Sequence, residues 1–193
     1  MIVTNSAIAR TPRSPVLLRW VRTRLLAGHL RPLATRERVL DLCCGWGFHL
    51  ALNPRAWGVD ADPAPVEHLR GKGYHVTQAD ILQPLPFPDH FFDAVLAHDT
   101  LEHFTPGESG RIFQEVYRIL RPHGLFLVVV PNRKGYRYGL RTRCGHKHFL
   151  TPPEVRRLAG DRFIVVREHA HPFPRPLGRY FTHNKEVLLL EKR

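Results

Sequence analysis

Four groups of residues in the middle of the chain could do chemistry, and they recur at intervals of about twenty residues. Asp41 is followed by Gly45-Trp46-Gly47, a glycine pair that lets backbone come close to a ligand. Asp60 comes next, and one carboxylate can accept hydrogen bonds from both hydroxyls of a ribose. Asp80 follows, an acceptor suited to an exocyclic amino group. His98-Asp99 is the fourth group, with His103 close behind. Imidazole titrates near neutrality, as a general base must. Each group has a plainer explanation: turn glycines, aspartates capping the next helix, a histidine that merely lines a pocket. Together, in this order, they point to a nucleoside site.

The elements that must position them alternate. RVLDLC (38–43), AWGVD (56–60), HVTQAD (75–80), FFDAVLAH (91–98) and GLFLVVVP (124–131) read as strands. Helices are expected from Pro63 to about Lys72 and from Pro106 to Leu120, with a short one between Gly47 and Pro54. Strands alternating with helices give a parallel sheet with right-handed crossovers, and such sheets bind ligands beyond the carboxyl ends of their strands. All four groups fall at those ends. RFIVVREHA (162–170) and EVLLLEKR (186–193) supply two more strands.

A dinucleotide fold would want G-x-G-x-x-G, but Leu50 stands at the third glycine position, so NAD is disfavoured. The chain instead resembles the class I S-adenosylmethionine-dependent methyltransferases. VLDLCCGWG (39–47) is similar to their first motif and GVDADP (58–63) to the second. QAD (78–80) followed by Ile81 is similar to the adenine-contacting segment. FDAVLAHDTLEHF (92–104) and EVYRILRPHGLFLVVVPN (115–132) are similar to the fourth-strand and fifth-strand blocks. The resemblance covers residues 36–132 and implies a three-layer Rossmann-like methyltransferase fold, a mostly parallel seven-stranded sheet whose last strand is antiparallel. It implies S-adenosyl-L-methionine as cofactor, held by Asp41, Gly45, Gly47, Asp60, Ala61, Asp80, Ile81 and His98. His98 is the candidate catalytic residue. Two departures stand out: Cys43 occupies the usual first glycine, and only 19 positions separate Asp41 from Asp60, which clips the first helix.

The chemistry implied is in-line transfer of a methyl group, in which the protein supplies alignment and a dry pocket. AHDT after the fourth strand lacks the Asn/Asp-Pro-Pro-aromatic pattern of enzymes that methylate DNA bases on exocyclic amines. The acceptor is expected to be a small molecule, anionic if the basic flanks reach it. RNA is the alternative, and a non-catalytic methyltransferase-like binding protein is another.

Those flanks dominate the charge. The chain of 193 residues carries a net +12, but residues 1–38 contribute +7, residues 39–132 contribute −5 and residues 133–193 contribute +10. Arginine outnumbers lysine 24 to 5, which favours forked contacts to phosphate or carboxylate. The expected organisation is a single methyltransferase domain over 1–193. It comprises an N-terminal basic helix (1–35), a cofactor-binding core (36–132), a basic lid (133–160) and C-terminal strands (161–193). In the lid, RKGYRYGLRTRCGHKHFL (133–150) interleaves cations with Tyr136, Tyr138 and Phe149, a composition able to stack on RNA bases or close over a small anion. Thr151 with Pro152 reads as the start of a helix. Cys144, His146 and His148 could hold zinc with one more ligand, but the paired C-x-x-C spacing is missing and no metal is assigned. Three cysteines, no run long enough to span a membrane and no secretory pattern lead us to expect a cytoplasmic protein.

Overall fold

The computed structural model describes residues 28, 30–132, 145–171 and 185–193. Seven strands form one sheet in the order β3-β2-β1-β4-β5-β7-β6. In chain order these are β1 (Val39–Leu42), β2 (Trp57–Asp60), β3 (His75–Gln78), β4 (Phe92–His98), β5 (Leu120–Pro131), β6 (Phe163–His171) and β7 (Lys185–Lys192). The first five pair in parallel, and β7 runs antiparallel to both β5 and β6. The expected fold class is therefore observed.

Alternate residues of the central strands face opposite layers. Leu40, Leu42, Val95, Ala97, Phe126 and Val128 point into the larger core, closed by helices α2 (Pro106–Ile119) and α3 (Pro152–Ala159). Val39, Ala94, Leu96, Leu127 and Val129 point to the other side, against α1 (Pro63–Gly71) and Leu33. Each helix starts where the sequence says it should. Asp62 accepts from Ala64 N ahead of Pro63, and Thr105 with Glu108 forms a capping box ahead of Pro106. A second capping box, Thr151 with Glu154, opens α3.

Three expectations are corrected. No helix forms between Gly47 and Pro54; the chain makes turns, with only isolated helical bonds such as Ala51 N to Gly47 O and Asn53 N to His49 O. With two glycines in left-handed conformation at one end and a proline at the other, the stretch is too short to propagate a helix. An apolar cavity of about 220 Å³, lined by Leu30, Leu33, Val39, Leu52 and Ala56, opens beside these turns. Secondly, β3 stops at Gln78, which leaves Asp80 in the loop beyond the strand. Thirdly, β5 begins at Leu120 rather than 124. Leu120 pairs with Phe92, the register then jumps, and Leu125 pairs with Ala94. Most of the expected N-terminal basic helix (1–35) lies outside the described residues, as does the 133–144 part of the lid.

Candidate active site

The site is built on the carboxyl ends of β1, β2 and β4. Beyond Leu42 the backbone turns sharply, with Cys43, Gly45 and Gly47 all at positive φ, between 50° and 78°. The turn is held by Cys44 N donating to Val59 O at 2.9 Å. Gly58 makes this approach possible, since a Cβ there would lie 2.7 Å from the Cys44 sulfur. Cys43 takes a left-handed conformation that disfavours any side chain, and its own packs on the larger core. Burial, followed by the nearby carboxylates of Asp60, Asp41, Asp80 and Glu102, pushes its thiol well up. Cys43 is thus a protonated filler, and its surroundings show that those four acids share one neighbourhood.

Asp60 is buried at the end of β2. One carboxylate oxygen accepts from Gly45 N at 2.8 Å and the other from Asp62 N at 3.0 Å. Each oxygen keeps a second lone pair. Burial raises its proton affinity, and the two backbone donors partly offset this. Ala61 follows, its carbonyl accepting from Gln78 Nε2 at 3.4 Å. Asp80 is exposed and turns its chain by accepting from Leu82 N at 2.9 Å, and Ile81 beside it is buried.

At the end of β4, the His98 ring lies against His49 in a tilted arrangement, with centroids 4.7 Å apart. His49 Nδ1 lies 3.3 Å from a carboxylate oxygen of Asp41, and His98 Nδ1 lies 3.6 Å from one of Asp99. Thr100 donates its hydroxyl to Leu42 O at 3.1 Å and ties this loop to β1. Asp99 also accepts from Lys185. Lys185 is the first residue of β7, and the antiparallel insertion of that strand places it opposite Pro131 at the end of β5. Burial pushes the Asp99 carboxyl up, but Lys185, His98 and His49 outweigh it and hold the group well below the usual range. Glu102 lies in the Leu101–His103 turn, where burial and the negative Asp99 push its carboxyl well up. The two neighbouring acids are therefore split: Asp99 ionised, Glu102 protonated.

The structure thus groups the expected Asp41, Gly45, Gly47, Asp60, Asp80 and His98 at one end of the sheet. His49, Glu102 and Lys185 join them without having been singled out from sequence. Glu102 had a weak signal in its adjacency to His103. Lys185 had none, because only the sheet order carries it there.

Proteins of known sequence and structure are similar to this chain. A family described as "Methyltransferase domain" matches residues 40–128. A probable S-adenosylmethionine-dependent methyltransferase of Mycolicibacterium smegmatis is 35% identical over 57% of this chain and 44% of that protein. The tRNA (carboxymethyluridine(34)-5-O)-methyltransferase of Arabidopsis thaliana is 31% identical over 54% of this chain and 26% of that protein. The chain therefore spans less than half the length of either relative. In fold it is similar to a SAM-dependent methyltransferase from Archaeoglobus fulgidus, with a TM-score of 0.67 at 18% identity, covering 89% of this chain and 94% of the other. Residues 40–128 thus match a methyltransferase domain, and the seven-stranded fold that holds them is similar to that of a SAM-dependent methyltransferase.

Proposed function

We propose that the chain transfers a methyl group from S-adenosylmethionine to a small-molecule acceptor carrying negative charge. The observation that carries this reading is Asp60: a buried carboxylate at the end of β2 whose oxygens each hold one backbone N–H and retain capacity for a ribose diol. The tight turn at Cys43–Gly47 and the buried Ile81 beside Asp80 fit the rest of a nucleoside. Cys43 fits as well, because its side chain packs on the core.

When bound, the cofactor supplies an electrophilic methyl group on a sulfonium. The protein's part is electrostatic and steric. The carboxylates of Asp41, Asp60, Asp80 and Asp99 give the end of the sheet a negative field that suits a cationic sulfonium. His98, at the end of β4, is the group placed to take the acceptor's proton where the acceptor arrives protonated, and Asp99 beside it steadies the resulting charge. Lys185 and the cations of the basic flanks supply what an anionic acceptor would meet. No helix among the described residues is long and apolar enough to cross a membrane, and the thiols of Cys43 and Cys44 are free, which supports a cytoplasmic setting.

A second reading takes RNA as the acceptor. It is favoured by the basic flanks and by the tRNA named as substrate of the Arabidopsis relative. Calorimetric titration with S-adenosylmethionine and S-adenosylhomocysteine, with NAD as control, tests the cofactor site. Micromolar binding of the first two but not of NAD is expected, and absence of binding to folded protein overturns the proposal.

A further inference from the structure

Beside the candidate active site, Glu102, His103 and His146 bring one carboxylate oxygen and two imidazole nitrogens within 4.8 Å of one another. Two of these ligand positions are buried and bare. Glu102 is 1% exposed and its Oε2 has no hydrogen-bond partner; His103 is 7% exposed and its Nδ1 has none. A buried polar atom without a partner is costly and uncommon, so two converging on one point call for an occupant.

The third residue arrives from a distant part of the chain. Lys147 N and His148 N both donate to Glu102 O, at 2.9 and 3.1 Å, which docks the 145–148 segment on the Leu101–His103 turn. The rings of His103 and His146 meet edge to face at 4.9 Å.

We propose that Glu102, His103 and His146 form a binding site for a divalent transition-metal ion of the zinc class. Two imidazoles and one carboxylate are the donor set of open zinc sites, Glu102 releasing its proton to solvent as the ion binds, and three protein ligands leave a position for water or a substrate heteroatom. Around one ion with bonds of about 2.0–2.1 Å, tetrahedral ligand atoms lie about 3.4 Å apart. The His146 side chain, on an extended segment, makes up the difference by moving inward. The ion would fasten the 145–148 segment of the lid to the rim of the active site. This site is not the C-x-H-x-H cluster considered from the sequence: His148 turns away to Glu154 at 3.1 Å, and Cys144 lies outside the described residues.

The test uses the full chain, stripped with chelator and titrated with Co²⁺ by visible absorption and with Zn²⁺ by competition. One ion per chain is expected. His146→Ala, a half-buried position whose loss leaves the fold intact, should weaken binding by about 100-fold or more, and His103→Ala likewise. His148→Ala should bind within about threefold of the parent. Absence of a saturable Co²⁺ band, or His103→Ala and His146→Ala variants that bind like the parent, overturns the proposal. S-adenosylmethionine binding, measured on the same samples, reports separately on the methyltransferase reading.

Discussion

Asp60 and the pair Asp99–Glu102 show how single groups near one another are given different tasks. Asp60→Ala removes the acceptor for Gly45 N–H and should cost about 1–3 kcal/mol of stability while leaving a folded protein. Its larger effect is on cofactor affinity, expected to fall by about 100-fold because two charge-assisted hydrogen bonds are lost. Calorimetry on the folded variant reads both. The pH dependence has a definite sign. The ionised carboxylate is the acceptor, and burial raises its folded pKa, so affinity is full above that value. It is lost as pH falls through it, at a pH higher than an ordinary aspartate would give. Stability moves the other way, declining as pH rises from the unfolded value through the raised one. At Glu102 the carboxyl is already protonated, so Glu102→Gln should shift the urea midpoint by less than about 1 kcal/mol. Asp99→Asn leaves the Lys185 ammonium half-buried without its counter-charge and should cost about 1–3 kcal/mol. Equal effects of the two substitutions would show that both acids are ionised.

Elements were the part of the structure most legible in the sequence, because their ends carry local chemistry. Pro63, Pro106 and Thr151-Pro152 each marked a helix start that the structure reproduces. The early start of β5 was not legible, since it depends on what the neighbouring strand accepts, and the missing helix after Gly47 reflects a stretch too short between its glycines and Pro54. The same holds at the other end of α2. Lys192, only 2% exposed, donates to Tyr117 O at 2.6 Å and Leu120 O at 2.7 Å, and its ammonium sits 4.2 Å from the centre of the Tyr117 ring. A lysine from the last strand thus satisfies carbonyls at the end of a helix some seventy residues earlier. Lys192→Met keeps the apolar stem but removes the ammonium donor from both carbonyls, leaving Leu120 O only the His90 Nδ1 contact at 3.0 Å. A loss of about 2–3 kcal/mol in urea unfolding is expected, with cofactor affinity unchanged, because the substitution lies at the opposite end of the sheet from Asp60.

Across the whole molecule, the division of charge matters more than its total. The acidic centre coincides with the cofactor-binding core, while the basic residues belong to the flanking sequence, from which Lys185 reaches Asp99. That division suits a cationic cofactor held by the core and an anionic acceptor drawn in by the flanks, and it leaves two sizes of acceptor to separate. Phosphate contacts release counterions, so RNA binding through these arginines must fall steeply with salt, with a log–log slope of about −0.7 per phosphate neutralised. Filter binding of tRNA from about 50 to 200 mM salt measures that slope. For a small-molecule enzyme, the expected result is weak binding that disappears toward the upper end of the range. Saturating tRNA should then leave S-adenosylmethionine affinity untouched. Binding that survives at the higher salt and tightens when the cofactor is present would require linkage between the two sites, and would move the acceptor to RNA.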